Sequence, residues 1–349
     1  MRPLYGIELS PGLSAILIDA QGGLVLEEHD ADRRVAAAGV ARLLAALVTL
    51  EQVRLGLFDI DAPVVVGTAA AAARLGLLRL DTTRTYPLDE LMRAIFVAGA
   101  TDATLALAEV VCASLPACVT MVNARAQRLG MAHTEIANMA PASEAEAGMT
   151  TVRDAALLVR ALLDHQEAVR WSSLPGIPFD GGPVVLRNTN SLVGTVVGVD
   201  GMQVARLGSS CSVMATAQRR GSRVVAVVAG SARLDQCYDG AAKILEAGFR
   251  AFESVELVRE GETLKVSVEV VGGTVDHVAP EATRSFSFFQ RRGAPIAAGL
   301  TLRYQLPSRL AAPVERNAIL GELVVERDGR VIAVIPARSP QRIGRSGLF

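Results

Sequence analysis

The feature that most constrains this sequence is one long apolar segment, VAAAGVARLLAALVTLEQVRLG, at residues 35–56. Apolar residues recur in it at spacings of three and four, and Gly56 follows as a stop signal, so the segment predicts an α-helix. Its apolar part is shorter than the roughly 18 residues that a membrane span needs, and Arg42 interrupts it. We therefore expect a helix buried in a protein core, with Gly39 and Arg42 at its start.

The composition indicates a globular chain with more than one domain. Its 349 residues exceed the length of one ordinary domain. Half of the residues are hydrophobic and the formal net charge is -1, which gives no electrostatic reason to expect a nucleic-acid partner. Only two of the 35 basic residues, Lys243 and Lys265, are lysines, so few amines are available for chemistry that needs a neutral base.

Local patterns divide the chain into two parts. Alternating apolar residues around Gly22 and Gly23 predict an opening β-hairpin, and helical spacing predominates from about residue 40 to residue 132. A further helix is expected at residues 151–165, followed by strands and a closing helix at about residues 235–252. Beyond residue 254, short strands between glycine-containing turns indicate a small all-β domain. The predicted domains are residues 1–254 and 255–349.

The cysteines and histidines indicate neither a metal centre nor a cofactor site. Cys112, Cys118, Cys211 and Cys237 form no CxxC pair, so no zinc site is expected. Buried thiols are the favoured interpretation, and one or two disulfides are the alternative if the chain is exported. The histidines are scattered along the sequence, at His29, His133, His165 and His277.

Three other polar features have structural interpretations. The serine cluster GSSCS at residues 208–212 does not match the G-x-S-x-G nucleophile elbow, and it lies at the start of a strand predicted to belong to a sheet core. Asp102 precedes an apolar helical segment and is expected to cap or position that helix. Asp200, in GVDG, is expected to be a turn residue.

Several segments resemble, in order along the chain, the low-molecular-weight penicillin-binding D-alanyl-D-alanine carboxypeptidases. They are ALVTLEQVRLGLFD, ALAEVV, MVNARAQRLGMAHTEIAN, MTTVRDAALLVRALL, LRNTNSLV and GVDG, and the tail APVERNAILGELVVERDGRVIAVIPA is similar to the family's last strands. The resemblance implies an α/β (α+β) domain of the serine β-lactamase and DD-peptidase type, with a helical cluster on an antiparallel sheet. A small sandwich-like β domain would follow it.

The family's catalytic motifs are not retained. Its chemistry rests on S-x-x-K, S-x-N and K-T-G, in which the serine is the nucleophile and the lysine amine is its base. Alignment on the neighbouring segments places these motif residues at Gly39, Arg42, Gly99, Thr101, Gln203 and Ala205. No S-x-x-K occurs anywhere in the sequence. Because glycine has no side chain and arginine keeps its charge at any working pH, we predict no catalytic residues and a pseudoenzyme.

The same resemblance predicts a binding groove. The residues expected to line it are Arg42, Thr101, Gln203 and Arg206. Two guanidinium groups there could hold a carboxylate, such as the end of a stem peptide or of a protein tail. The alternative is that Arg42 only fills the space of the missing lysine and pairs with a neighbouring acid.

Two functions remain open at this stage. The first is an inactive protein of the bacterial envelope that binds a peptidoglycan stem peptide or a protein partner; the second is an active serine-type D-Ala-D-Ala carboxypeptidase or hydrolase in peptidoglycan remodelling. The start, MRPLYGIELSPG, has no signal-peptide core, so we expect a periplasmic or extracytoplasmic protein whose signal was removed, or a cytoplasmic one if this start is native. The family's C-terminal amphipathic membrane anchor would begin where this chain ends, at GRSGLF, so no anchor is expected in it.

Overall fold

The computed structural model describes residues 7–73, 76–182, 185–295 and 299–347, except for the side chain of Ala38. The chain divides into two compact units. The first runs to residue 250, and residues 21–24 join residues 251–349 in the second. This division falls a few residues before the boundary predicted at residue 254, because the last helix of the first unit ends at Ala251 and a strand begins directly at Phe252.

The first unit contains most of the helical structure. Its helices are α1 (Ala38–Arg54), α2 (Thr68–Ala71), α3 (Leu88–Ala98), α4 (Thr101–Val111), α5 (Leu115–Arg128), α6 (Glu144–Ala147), α7 (Val152–Leu162), α8 (Gln166–Ser172) and α9 (Leu234–Ala251). The helical region predicted between residues 40 and 132 and the closing helix are therefore confirmed.

A five-stranded antiparallel sheet is the centre of the first unit. The strands of this unit are β1 (Ser14–Asp19), β2 (Val25–His29), β3 (Val35–Ala36), β4 (Pro63–Val65), β5 (Thr85–Pro87), β6 (Glu135–Ile136), β7 (Gly148–Thr150), β8 (Gly176–Pro178), β9 (Val185–Arg187), β10 (Val199–Leu207), β11 (Ser210–Arg219) and β12 (Ser222–Ser231). The sheet order is β10-β11-β12-β1-β2, so the predicted opening hairpin forms one edge and β10 forms the other.

Helices cover both faces of this sheet. At the start of α1, Gly39 lies against Ala205 of β10 and Met214 of β11, on one face. On the other face, Gly240 of α9 lies against Val228 of β12. Residues 43–48 of α1 are all buried, as are most residues of α3 and α4, so the prediction of a buried apolar helix is confirmed.

The second unit is all-β. Its strands are β13 (Phe252–Val258), β14 (Val268–Val271), β15 (His277–Val278), β16 (Glu281–Ala282), β17 (Phe286–Arg291), β18 (Leu300–Gln305), β19 (Arg309–Ala311), β20 (Ile319–Arg327) and β21 (Arg330–Arg338). They form sheets of two, three and four strands, and the largest has the order β16-β21-β20-β18. Phe286 of β17, Val325 of β20 and Ile335 of β21 belong to one buried hydrophobic cluster of this unit.

The four cysteines divide into one disulfide and two buried thiols. Cys211 of β11 is bonded to Cys237 of α9, while Cys112 and Cys118 are free and buried. A hydrogen bond with the thiol of Cys112, followed by burial, raises the pKa of Cys118 well above its usual range. The favoured expectation of buried thiols thus holds for one pair, and the disulfide alternative holds for the other.

No single helix of the described residues is long and apolar enough to cross a membrane. Helices α4 and α5 pass that test of length and composition only as a pair, and they meet at an angle of 91°.

Candidate functional site

Position 39, where the family's nucleophile is expected, has no room for a side chain. A Cβ placed on Gly39 would lie 2.7 Å from the Cβ of Ala205 and 3.0 Å from the Cε of Met214. Non-bonded carbon atoms normally stay about 3.5–4.0 Å apart. Helix α1 and strand β10 can therefore pack this closely only because residue 39 is glycine.

Arg42 lies one turn further along α1 and is partly buried. Its Nε is buried and has no hydrogen-bond partner, and within the described ranges no carboxylate forms an ion pair with it. Burial lowers the pKa of Arg42 to about 10, so the guanidinium remains charged at neutral pH. The interpretation that Arg42 pairs with a neighbouring acid is therefore wrong for the part of the chain that is described.

The second motif position forms the corner between α3 and α4. Gly99 ends α3 in the left-handed conformation (φ 65°), which glycine adopts without steric cost. Ala100 then occupies the N-cap of α4 and makes no side-chain capping bond, and Thr101 is its first residue and is partly exposed. A Cβ placed on Gly99 would lie 3.6 Å from the Cζ of Arg42, so this corner and the guanidinium are direct neighbours.

Gln203 does not line a groove, contrary to the sequence prediction. Its side chain is completely buried, and its Nε2 donates a hydrogen bond of 2.9 Å to the carbonyl oxygen of Ile95, in the last turn of α3. Its Oε1 is buried without a partner. The glutamine therefore joins β10 to α3 inside the protein and is not available to hold a ligand from solvent.

Arg206 also requires a correction. Side chains alternate between the two faces of a strand, and Ala205 points at α1, so Arg206 points to the opposite face. Its cross-strand neighbour is Cys211, which is bonded to Cys237 of α9. Arg206 is exposed on the α9 face and is separated from Arg42 by the sheet. The predicted pair of guanidinium groups does not form.

Asp102 positions helix α4, as one of the two expected roles states, although it lies in the first turn and Ala100 occupies the N-cap. Its carboxylate is completely buried, and one oxygen accepts hydrogen bonds from the amides of Leu78 (2.6 Å) and Arg79 (3.0 Å). The other oxygen accepts from the amide of Ala103. Asp102 thus attaches the segment before β5 to the first turn of α4.

The remaining polar candidates are part of the framework. Asp200, expected in a turn, lies in β10, accepts a hydrogen bond from Thr216 (2.7 Å) and pairs with Arg223 (2.7 Å). In the serine cluster, Ser209 donates to Glu144 (2.7 Å), and the hydroxyl of Ser212 lies 3.5 Å from the Cβ position of Gly39. No local pattern predicts the contact between Ser209 and Glu144, because these residues are 65 positions apart in the chain. Among the described residues, no group of three His, Cys, Asp or Glu side chains could hold a metal ion.

Two family models match this chain, and together they cover most of its length. The family model described as D-alanyl-D-alanine carboxypeptidase matches residues 11–233, and the model described as penicillin-binding protein 5, C-terminal domain, matches residues 252–345. The chain therefore belongs to the D-alanyl-D-alanine carboxypeptidase family of low-molecular-weight penicillin-binding proteins.

Curated relatives match over nearly the whole chain. The D-alanyl-D-alanine carboxypeptidase DacF of Bacillus subtilis is 24% identical over 343 residues, which cover 96% of this chain and 87% of that protein. The D-alanyl-D-alanine carboxypeptidase DacC of Escherichia coli is 26% identical over 344 residues, which cover 96% of this chain and 84% of that protein.

Solved structures share the fold. A peptidoglycan synthesis regulatory factor (PBP3) of Streptococcus pneumoniae superimposes with a TM-score of 0.82 at 20% identity, covering 97% of this chain and 100% of that one. Penicillin-binding protein D2 of Listeria monocytogenes in its ampicillin-bound form gives 0.63 at 24% identity, over 70% of this chain and 99% of that one. The first unit therefore has the penicillin-binding, β-lactamase-like fold, and the family's separate C-terminal β domain follows it.

Proposed function

We propose that this chain is a catalytically inactive member of its family and acts by binding rather than by hydrolysis. The observation that carries the proposal is the packing of Gly39 against Ala205. Glycine has no hydroxyl to act as a nucleophile, and the contact leaves no space for a side chain that has one. The family's reaction needs a serine hydroxyl at the start of α1 and an amine that can accept its proton. The protein has no side-chain atom at the first position and a charged guanidinium, whose pKa is about 10, at the second.

The substitutions at positions 39 and 205 are complementary in volume. The family resemblance places a serine at position 39 and the glycine of K-T-G at position 205; this chain has glycine and alanine there. A Cβ at either position excludes one at the other, since the two would be 2.7 Å apart. The exchange keeps α1 packed on β10 while it abolishes the nucleophile.

The rest of the framework supports a folded binding protein rather than a decayed enzyme. Buried polar side chains around the former site have hydrogen-bond partners, such as Asp102 with the amide of Leu78 and Gln203 with the carbonyl of Ile95. Because folded proteins are only marginally stable, unselected changes in a core would be expected to disrupt such contacts. The proposed ligand is a peptidoglycan stem peptide or an envelope protein partner.

We further propose an extracytoplasmic location. The bond between Cys211 and Cys237 supports it, because disulfides form and persist mainly in oxidising compartments. The relatives are named as D-alanyl-D-alanine carboxypeptidases, enzymes whose substrates belong to the cell wall.

Covalent labelling with a fluorescent penicillin tests the inactivity directly. The full chain is incubated with the reagent beside Listeria penicillin-binding protein D2, which serves as the positive control because it has been solved with ampicillin bound. We expect a labelled band for the control and none for this chain after denaturing electrophoresis. A band that an excess of unlabelled ampicillin removes would overturn the proposal and favour an active serine enzyme.

A further inference from the structure

The two free cysteines lie at the corner where α4 ends and α5 begins. Cys112 is the C-cap of α4, and Cys118 lies in the first turn of α5. The backbone turns sharply between them: Ala113 is left-handed (φ 66°), and the two helices meet at 91°. Ser114 then caps α5, because its hydroxyl accepts a hydrogen bond of 3.2 Å from the amide of Ala117. The chain therefore reverses enough within six positions to bring the two cysteines near each other.

The thiols of this pair are in contact. The Sγ of Cys112 lies 3.9 Å from the Sδ of Met121. Met121 follows Cys118 by three residues, a spacing at which helical side chains are neighbours, so Cys112 lies against the face of α5 that carries Cys118. A hydrogen bond joins the two thiols directly. Only a further approach of the two sulfur atoms, to about 2.0 Å, separates this arrangement from a disulfide.

The two thiols differ in reactivity. Cys112 keeps an exposed fraction of 7%, whereas Cys118 has none. The hydrogen bond with Cys118 lowers the pKa of Cys112, although burial opposes it. The same hydrogen bond and burial raise the pKa of Cys118 well above its usual range. Because the thiolate is the nucleophile in thiol chemistry, Cys112 is the thiol that reacts first with a reagent from solvent.

We propose that Cys112 and Cys118 are a redox-active dithiol, which an external disulfide converts into a second intramolecular disulfide. The Cys112 thiolate attacks one sulfur of the external disulfide, forms a mixed disulfide and expels the other sulfur as a thiolate. Cys118 then loses its proton, attacks the Sγ of Cys112 and expels the second thiolate. The two thiol protons pass to the two expelled thiolates, and the external disulfide takes up the two electrons.

The new bond ties the end of α4 to the first turn of α5. These helices support the former site, since α4 begins at Thr101 and Gln52 of α1 donates a hydrogen bond to the Sδ of Met121 (3.7 Å). Oxidation therefore stiffens the helical cluster at a corner that no other covalent bond among the described residues crosses. The inference does not depend on the proposed inactivity, because neither cysteine belongs to the three motif positions.

Reaction of the folded full chain with 2,2′-dithiodipyridine, a small disulfide, tests the proposal. The released thiopyridone is followed by its absorbance, and the chain is then denatured, alkylated and digested with trypsin without reduction. Residues 94–125 form one tryptic peptide that contains both thiols, because no lysine or arginine lies between Arg93 and Arg125. The variants are Cys112→Ala and Cys118→Ala, and the untreated chain is the dithiol control.

The wild type should release two thiopyridones per chain, keep no pyridyl adduct, and yield a 94–125 peptide that cannot be alkylated. Cys118→Ala should release one and keep one adduct, on Cys112. Cys112→Ala should react at least about tenfold more slowly, because only the completely buried thiol remains. The treated wild type should also gain a few degrees in Tm over the untreated chain.

Two pyridyl adducts on the folded wild type would overturn the proposal, since they show two thiols that react without reaching each other. A folded wild type that does not react, while the chain in denaturant does, would also overturn it. Equal rates for Cys112→Ala and the wild type would contradict the assigned order of attack. Should either variant fail to fold, the adduct count and the peptide of the wild type decide the question alone.

Discussion

Restoring the missing nucleophile by Gly39→Ser should destabilise the protein instead of activating it. The new Cβ would meet the Cβ of Ala205 at 2.7 Å and the Cε of Met214 at 3.0 Å. The methionine can rotate its terminal methyl group away, but the alanine Cβ is fixed to the backbone of β10. Either α1 or β10 must therefore move.

The size of the effect follows from two opposing contributions. Overpacking a close contact costs about 1 to 3 kcal/mol. Serine forms helix better than glycine by about 0.5 kcal/mol, which offsets part of that cost. We expect a net loss of about 0.5 to 2.5 kcal/mol in the free energy of unfolding, and a fall in Tm of a few degrees.

A double-mutant cycle measures this steric conflict separately from the hydroxyl. Ala205→Gly alone should be mildly destabilising, since glycine weakens a strand. In the double variant with Gly39→Ser, Ala205→Gly removes the clashing Cβ. The double variant should therefore lose less unfolding free energy than the two single losses added together, by about 1 kcal/mol or more. Gly39→Ala serves as the control for side-chain volume. A Gly39→Ser variant as stable as the wild type, with additive behaviour in the cycle, would refute the packing argument.

Three further predictions concern the framework. Replacing the buried Asp102 by alanine should cost about 1 to 3 kcal/mol, because the partly buried amide of Leu78 loses its acceptor, and urea unfolding measures this. Burial, followed by the charge of Arg54, lowers the pKa of His165 below its usual 6.5. The unfolded chain therefore takes up the proton first, so stability is lost as pH falls below about 6.5, and His165→Gln should flatten the decline in Tm between pH 7.5 and pH 5; an unchanged slope would contradict this. Cys211→Ser opens a disulfide that spans 26 residues and should cost about 3 to 4 kcal/mol, and thiol titration of the denatured, unreduced wild type should find two free thiols.

Strongly periodic segments could be predicted well from the sequence. The buried helix at residues 38–54, the opening hairpin, the closing helix and the all-β second unit all follow from local apolar spacing and turn residues. Local signals of this kind do not depend on which distant segment packs against them. The family resemblance predicted that Gly39, Arg42 and Gly99 belong to one site. Gly39 and Arg42 lie one turn apart in α1, and the guanidinium of Arg42 lies beside Gly99.

The side-chain details of the candidate site could not be predicted in the same way. Gln203 and Arg206 lie three positions apart in one strand, and only the packing of α1 against Ala205 decides which of them lies on the α1 face of the sheet. Asp102 bonds to amides 23 and 24 positions earlier in the chain, a pairing that no local pattern encodes. The choice of Cys211 and Cys237 as the bonded pair likewise depends on where α9 lies on the sheet.

The release of D-alanine from a peptide ending in D-Ala-D-Ala tests the central claim most directly. The full chain, its Gly39→Ser variant and an active relative are incubated with the peptide at equal concentrations, and free D-alanine is measured over time. Our account predicts release by the active relative only, because position 39 has no room for a nucleophile and Arg42 cannot act as its base. D-alanine release by the wild-type chain above the rate without protein, and sensitive to penicillin, would contradict it.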